Sequence, residues 1–183
     1  MYFSAKEILA QLDGTDMRIC DLVIKNETEI SEISREEIFS MLEERYQIMY
    51  NSAHDALEKE IRSLSGLTGG SAKKMWEYYK KGSSICDNTI IRGAAYALSC
   101  LEVNASMGLI VAAPTAGACG ILPGSLLTVA EKYDIPHQQV LESSCNRFRY
   151  RSANCKKSYR FGCRRRMSGR MRKRCFDGCC CNR

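Results

Sequence analysis

A mainly α-helical fold followed by a separate basic tail is what this sequence predicts, and three observations carry the prediction. Apolar residues recur at three- and four-residue steps between Ile19 and Tyr133. Glycine-containing loops interrupt that pattern at intervals suited to helices. Finally, the balance of charge and cysteine changes abruptly at residue 145. With 183 residues and 45% apolar content, the chain can build one real core, but not several.

The first strong element is a short helix around Ile19, Leu22 and Val23. Ser34 and Glu37 then make a capping box, and Ile38, Met41, Leu42, Met49, Ala53, Leu57 and Ile61 follow on one face. That spacing predicts a long helix over residues 35–63. Ser65-Gly66-Leu67-Thr68-Gly69-Gly70 ends it, and Ser71 is placed to cap a helix carrying Met75, Trp76 and Tyr79. Asp87 or Asn88 can cap the next helix, through Ile91, Ala95, Leu98 and Leu101. Leu109 to Ala113 fits a buried strand as well as a buried helix. Pro123 suits an early position in a last helix through Leu127, Val129 and Tyr133.

Residues 1–144 hold 13 Lys+Arg against 20 Asp+Glu, a net −7; residues 145–183 hold 14 against one, a net +13. Seven of the 11 cysteines lie in that second stretch, which has almost no Leu, Ile or Val and cannot bury a core. It is expected to be disordered. The longest apolar stretch, Met107 to Leu127, is broken by Pro114, Pro123 and several glycines, so no membrane span is expected. Lys6 and Glu7 interrupt any cleavable signal, and the protein is expected to be cytoplasmic, with reduced cysteines.

Two loops could hold chemistry: Leu67-Thr68-Gly69-Gly70, and Ala113-Pro114-Thr115-Ala116-Gly117-Ala118-Cys119-Gly120. Each sets glycines and a hydroxyl before a helix start, where unpaired N–H groups and the helix dipole favour an anion such as a carboxylate. Spacing alone favours an ordinary capped turn. Neither loop has a nucleotide-binding pattern. Glu102 and Asn104 close an apolar helix, either as a polar pair facing a site or as a surface acid and a helix-ending amide. His54 and His137 lack a ligand-spaced partner and are expected to face solvent. Cys20, Cys86, Cys100 and Cys119 are expected to be buried free thiols. In the tail, Cys163, Cys175 and Cys179 to Cys181 among arginines suggest a zinc- or nucleic-acid-binding alternative. Their spacing is a poor chelate, however, and basic charge alone gives only non-specific nucleic-acid binding.

Leu67-Thr68-Gly69-Gly70, Glu102-Val103-Asn104-Ala105-Ser106-Met107-Gly108, and Ala113-Pro114-Thr115-Ala116-Gly117 with Gly120, Pro123 and Gly124 together resemble the iron–sulfur-dependent L-serine dehydratases. The likeness is to the α subunit of the two-subunit form, and covers about residues 5–144 with three motifs in order. It implies a helical catalytic subunit that removes water from L-serine to give aminoacrylate, which hydrolyses to pyruvate and ammonia. It also implies a [4Fe–4S] cluster acting as Lewis acid on the serine hydroxyl, a base for the α-proton, and a separate β subunit. By position, the implied substrate-binding residues are Thr68, Gly69, Gly70, Asn104, Pro114 and Thr115. No catalytic residue is assigned.

The departure from the family lies in the cluster ligands, which are expected in Gly-Gly-Cys-Gln and Cys-Asp-Pro…Pro-Cys segments that this chain lacks. No cluster, and no activity, is therefore expected of the chain as written. The tail suggests why. Cys163 to Met171, encoded as TGC AGA AGG CGG ATG TCA GGC AGA ATG and read one base later, gives Ala-Glu-Gly-Gly-Cys-Gln-Ala-Glu. Met167 before Ser168 forces Cys or a stop in that frame, and Cys179 to Cys181 become Ala or Val. The expected organisation is thus the N-terminal part of a serine dehydratase α-chain domain over residues 1–144, with a frameshift product over 145–183. Loss of the following half is expected to expose apolar faces around Leu126, Leu127 and Val140.

Overall fold

The structure, a computed structural model, describes residues 5–15, 17–82, 85–112 and 115–144. Ala113, Pro114 and the whole 145–183 tail lie outside the described residues, with the expectations attached to them. The described elements are α1 (Ala5–Leu12), α2 (Ile19–Ser31), α3 (Arg35–Glu58), α4 (Ser71–Lys81), α5 (Asn88–Ala105), a 3₁₀ turn η1 (Ala116–Ala118) and α6 (Ile121–Lys132). Residues 137–144 are also helical. Among the described residues the only strand-like pairing is an isolated bridge between Arg62 and Gly69. The mainly α expectation is met.

The capping box forms in both directions. Ser34 Oγ accepts from the Glu37 N–H at 3.2 Å, and the Ser34 N–H donates to Glu37 Oε2 at 3.0 Å. The long helix ends at Glu58, five residues before the expected 63. A helix reaching residue 63 would need the Ser63 and Leu64 N–H groups, and both are used elsewhere. The Ser63 N–H goes to the Thr68 carbonyl at 2.9 Å and the Leu64 N–H to the Ala105 carbonyl at 3.3 Å.

The described residues fall into two compact units, those up to 43 with 138–144, and those of 44–137. In the first, the buried apolar residues are Cys20, Leu22, Val23, Ile24, Ile38, Leu42, Val140 and Leu141. Arg18 bridges Asp21 at 3.3 Å and Glu142 at 2.7 Å, and Asp21 also meets Arg35 at 3.4 Å. The arginines in these pairs are largely exposed, so solvent screens the attraction and the pairs add little to stability.

The second unit has its core among Met49, Ala53, Leu57, Ala95, Tyr96, Cys100, Cys119, Leu122 and Leu127. Helix α5 is central to it, packing on both α4 and α6. Asp87 caps α5, its carboxylate accepting from the Thr89 N–H at 2.7 Å. Segment 109–112 is neither strand nor helix. Ile110 and Val111 lean on the core as irregular backbone, so burial alone accounts for that apolar run. The surface expectation also changes: Leu127 is 1% exposed, Val140 3%, and Leu126 packs against the core. Leu122, Pro123 and Leu127 are the buried positions of α6, which leaves Ile121 and Val129 of that helix exposed.

Contact between α5 and α6 depends on glycine. A Cβ at Gly120 would stand 2.5 Å from the Ala97 carbonyl oxygen and 3.0 Å from Ala97 Cα, and one at Gly124 would stand 2.8 Å from the Gly93 carbonyl oxygen. Both obstacles are backbone, so the helices themselves would have to separate. Gly120→Ala and Gly124→Ala should each destabilise the protein by about 1–3 kcal/mol, read as a lower urea midpoint with unchanged helical circular dichroism. A midpoint equal to the parent's would contradict the close-approach account.

Candidate functional site

The last full turn of α5 joins the two glycine loops. Glu102 is 7% exposed, and its Oε1 accepts from the Ser71 N–H at 2.6 Å and the Ala72 N–H at 3.1 Å. These are the first two residues of α4, directly after Gly70. Two positions further on, Asn104 Nδ2 donates to the Ala116 carbonyl at 3.0 Å and ties down the second loop. One position beyond, the Ala105 carbonyl receives the Leu64 N–H. Residues 102–105 therefore hold the second loop at Ala116 and bracket the first, through Leu64 before it and Ser71 and Ala72 after it.

Each predicted site residue sits in this frame as follows. Thr68 is exposed, with its N–H bonded to Ser63 Oγ at 3.2 Å and its carbonyl to the Ser63 N–H. Gly69 has φ +151°, and any Cβ there would collide with the Ile61 carbonyl oxygen, so only glycine fits. Gly70 is buried and left-handed, with φ +78°, and has no side chain to cap α4. Thr115 is exposed and extended, at the start of η1, with its carbonyl accepting the Ala118 N–H at 3.1 Å. Pro114 lies outside the described residues.

Three expectations are corrected. Glu102 is buried and is not a surface acid. Ser71 does not cap α4 with its side chain; a remote carboxylate does. The N–H groups of Ser71 and Ala72 are consequently already taken, rather than open to a substrate carboxylate. A carboxylate at a helix start is stabilising by about 0.3–2 kcal/mol. Glu102 Oε2, by contrast, is buried with no hydrogen-bond partner, an arrangement that costs about 1–3 kcal/mol for an unsatisfied group.

A second polar group was not visible in the sequence. Tyr96 donates its hydroxyl to Glu131 at 2.8 and 3.0 Å, and Arg92 pairs with Glu131 at 3.2 Å and with the Thr128 carbonyl at 3.0 Å. Burial first, and then Glu131, raises the Tyr96 hydroxyl above the ordinary tyrosine range. Arg92 and Tyr96 are four residues apart on α5, which is the only trace of the network in sequence. His54 is half-buried rather than solvent-facing. Its ring stacks on Tyr50 at 4.1 Å and lies 4.8 Å from Tyr96. His137 is exposed, as expected, with its edge against Tyr46 at 4.7 Å.

The described cysteines do not suit an iron–sulfur cluster. Cys20, Cys100 and Cys119 are buried and Cys86 is exposed, which corrects the expectation for Cys86. Burial pushes the Cys100 thiol up to about 12 and the Cys119 thiol in the same direction, so both favour the neutral form over the thiolate that binds iron. Cys119 Sγ is turned to the Cys100 carbonyl at 3.7 Å, and Cys100 Sγ lies 3.5 Å from Ser52 Oγ. Among the described residues no group of three or more His, Cys, Asp or Glu could hold a metal ion.

The same burial predicts a pH dependence. A folded-state thiol above its ordinary 9.0 gives Cys100 a contribution that is whole below pH 9 and is lost as pH rises towards 12. The melting temperature should fall across that window, less steeply in Cys100→Ala. Equal slopes for the two proteins would remove Cys100 as a source of the fall.

Comparison with known proteins identifies the family. The serine dehydratase alpha chain family matches residues 14–146. The chain is 34% identical over 141 residues to the Probable L-serine dehydratase, alpha chain, of Bacillus subtilis (strain 168), covering 77% of this chain and 47% of that protein. It is 38% identical over 134 residues to the L-serine dehydratase, alpha chain, of Peptoniphilus asaccharolyticus, covering 73% and 46%. With L-serine dehydratase TdcG of Escherichia coli (strain K12) it shares 30% over 155 residues, covering 80% and 32%. No solved structure matches the chain significantly. The chain spans about half the length, or less, of these curated relatives. With the family match covering most of its length, the chain belongs to the serine dehydratase alpha chain family.

Proposed function

We propose that residues 1–144 form the N-terminal part of an L-serine dehydratase α-chain domain, which in the whole protein converts L-serine to pyruvate and ammonia. The observation that carries this reading is the turn at 102–105, which holds the second glycine loop and brackets the first. Eliminating water from serine removes the α-proton and the β-hydroxyl, and the aminoacrylate released tautomerises to an imine that water hydrolyses to pyruvate and ammonia. Such a reaction gains rate when the substrate's polar groups are held still, and short loops anchored at one helix end do that without bulk.

Thr68, Gly69, Gly70, Asn104, Pro114 and Thr115 are the residues we assign to the serine pocket. Asn104 acts there as a positioning residue, because its amide already holds the Ala116 carbonyl. The described residues supply no thiolate set for a [4Fe–4S] cluster, so in this reading the cluster's ligands lie outside residues 5–144. A separate β subunit follows from the alpha-chain wording of two relatives. No helix among the described residues is long and apolar enough to cross a membrane, and a cytoplasmic setting suits Cys20, Cys86, Cys100 and Cys119 as reduced thiols.

The tail belongs to the same reading. The family match stops at residue 146, where the net charge inverts and the cysteine density rises. We take 145–183 as an out-of-frame segment. Sequencing the coding DNA around codon 145 should reveal, in the frame one base later, a Cys-Asp-Pro segment before any stop. A stop without that segment overturns the frameshift.

In the frame-restored protein, Thr68→Ala and Asn104→Ala should each lower kcat/KM for L-serine by about 10²-fold, the usual scale for a misplaced reacting centre. Parent-like turnover in both would remove these residues from the pocket.

A further inference from the structure

The serine pocket at the end of α5 leaves one polar atom without a task. Glu102 uses only half of its carboxylate: Oε1 accepts from two α4 N–H groups, while Oε2 is buried with no partner. Glu60, which lies beside Gly70, is paired with Arg62 at 3.0 Å, so that arginine is engaged.

We propose that Glu102 Oε2 is the acceptor for a primary ammonium group, and that the Gly69–Gly70 end of the pocket takes the cationic end of an amino-acid substrate. The inference rests on the serine reading and adds a residue and an orientation to it. Three physical points lead to it. The N–H groups that would attract an anion at the start of α4 are already neutralised by Glu102. A substrate carboxylate brought there would meet another carboxylate across a low-dielectric gap, which is repulsive. An ammonium brings three donors and the opposite charge, and it satisfies the orphaned oxygen.

Burial sharpens the selectivity. A cation reaching Oε2 must shed its water, and only a directly hydrogen-bonded ion pair offsets that loss. The acceptor is also pre-oriented, since two backbone N–H groups hold the carboxylate in place before any ligand arrives. Glu102 sits two residues before Asn104, and its partners Ser71 and Ala72 follow Gly70 directly, so the ammonium would lie where both assigned loops are anchored.

The test titrates the isotope-labelled 183-residue chain with three probes and follows the Ser71 and Ala72 amide resonances. The probes are L-serine, ethanolamine (ammonium and hydroxyl, no carboxylate) and 3-hydroxypropionate (carboxylate and hydroxyl, no ammonium). L-serine and ethanolamine should shift both resonances, and 3-hydroxypropionate should leave them in place. Glu102→Gln keeps a carbonyl oxygen for the two N–H groups and removes the charge; it should weaken ethanolamine and serine binding at least about tenfold, the loss of one charge-assisted hydrogen bond. Should that variant not fold, the comparison of the three probes on the parent chain decides. Serine and 3-hydroxypropionate shifting the resonances alike, with or without Glu102, would overturn the ammonium assignment and leave the serine reading standing. Glu102-dependent ethanolamine binding without serine binding would support the ammonium site and remove the serine reading. Resonances unmoved by all three probes overturn the assignment.

Discussion

The contact between the Glu102 carboxylate and the start of α4 is the one on which the second unit's organisation turns. Gly70 cannot cap the helix, Ser71 does not, and the helix dipole there needs an acceptor. A side chain thirty-one positions away provides it, and so couples a local event, helix initiation, to a tertiary one, the seating of α4 on α5. The loop before α4 then has little freedom. It is stitched through Ser63, Thr68 and Leu64 to itself and to the same end of α5.

The opposite side of α5 works by absence. Gly93, Gly120 and Gly124 remove the side chains that would keep α5 and α6 apart, and the backbones approach to a distance that a methyl group would spoil. On the same side, Tyr96 and Arg92 converge on Glu131 of α6, giving a partly buried hydroxyl–carboxylate–guanidinium group. Helix α5 thus meets α6 through close contact at Gly93 and Ala97 and, at the same level, through Arg92 and Tyr96, while Glu102 and Asn104 act in its last turn. These anchors lie within residues 14–146, the stretch that matches the serine dehydratase alpha chain family. Its buried thiols behave as core residues, kept neutral by desolvation.

Much was legible in the sequence because it depends on neighbours in the chain. Ser34 and Glu37 lie three residues apart, so their capping box could be read directly and forms as expected. The spacing of Ile38, Leu42, Met49, Ala53 and Leu57 marked the buried face of α3, since helical periodicity is local geometry. Asp87 was readable as a cap for the same reason. The three motifs, in order, were enough to mark the family.

Tertiary structure alone decided what depends on residues far apart in the chain. The end of α3 at Glu58 follows from donors at Ser63 and Leu64 being drawn to Thr68 and Ala105. Glu102 looked like either a surface acid or a site residue, because its burial depends on α4 meeting α5 and no spacing encodes that. His54 could not be placed between Tyr50 and Tyr96 without knowing that α3 and α5 share a core. Leu127 and Val140 were assigned to open faces because apolar patterning tells which residues want cover, while only packing tells which residues find it.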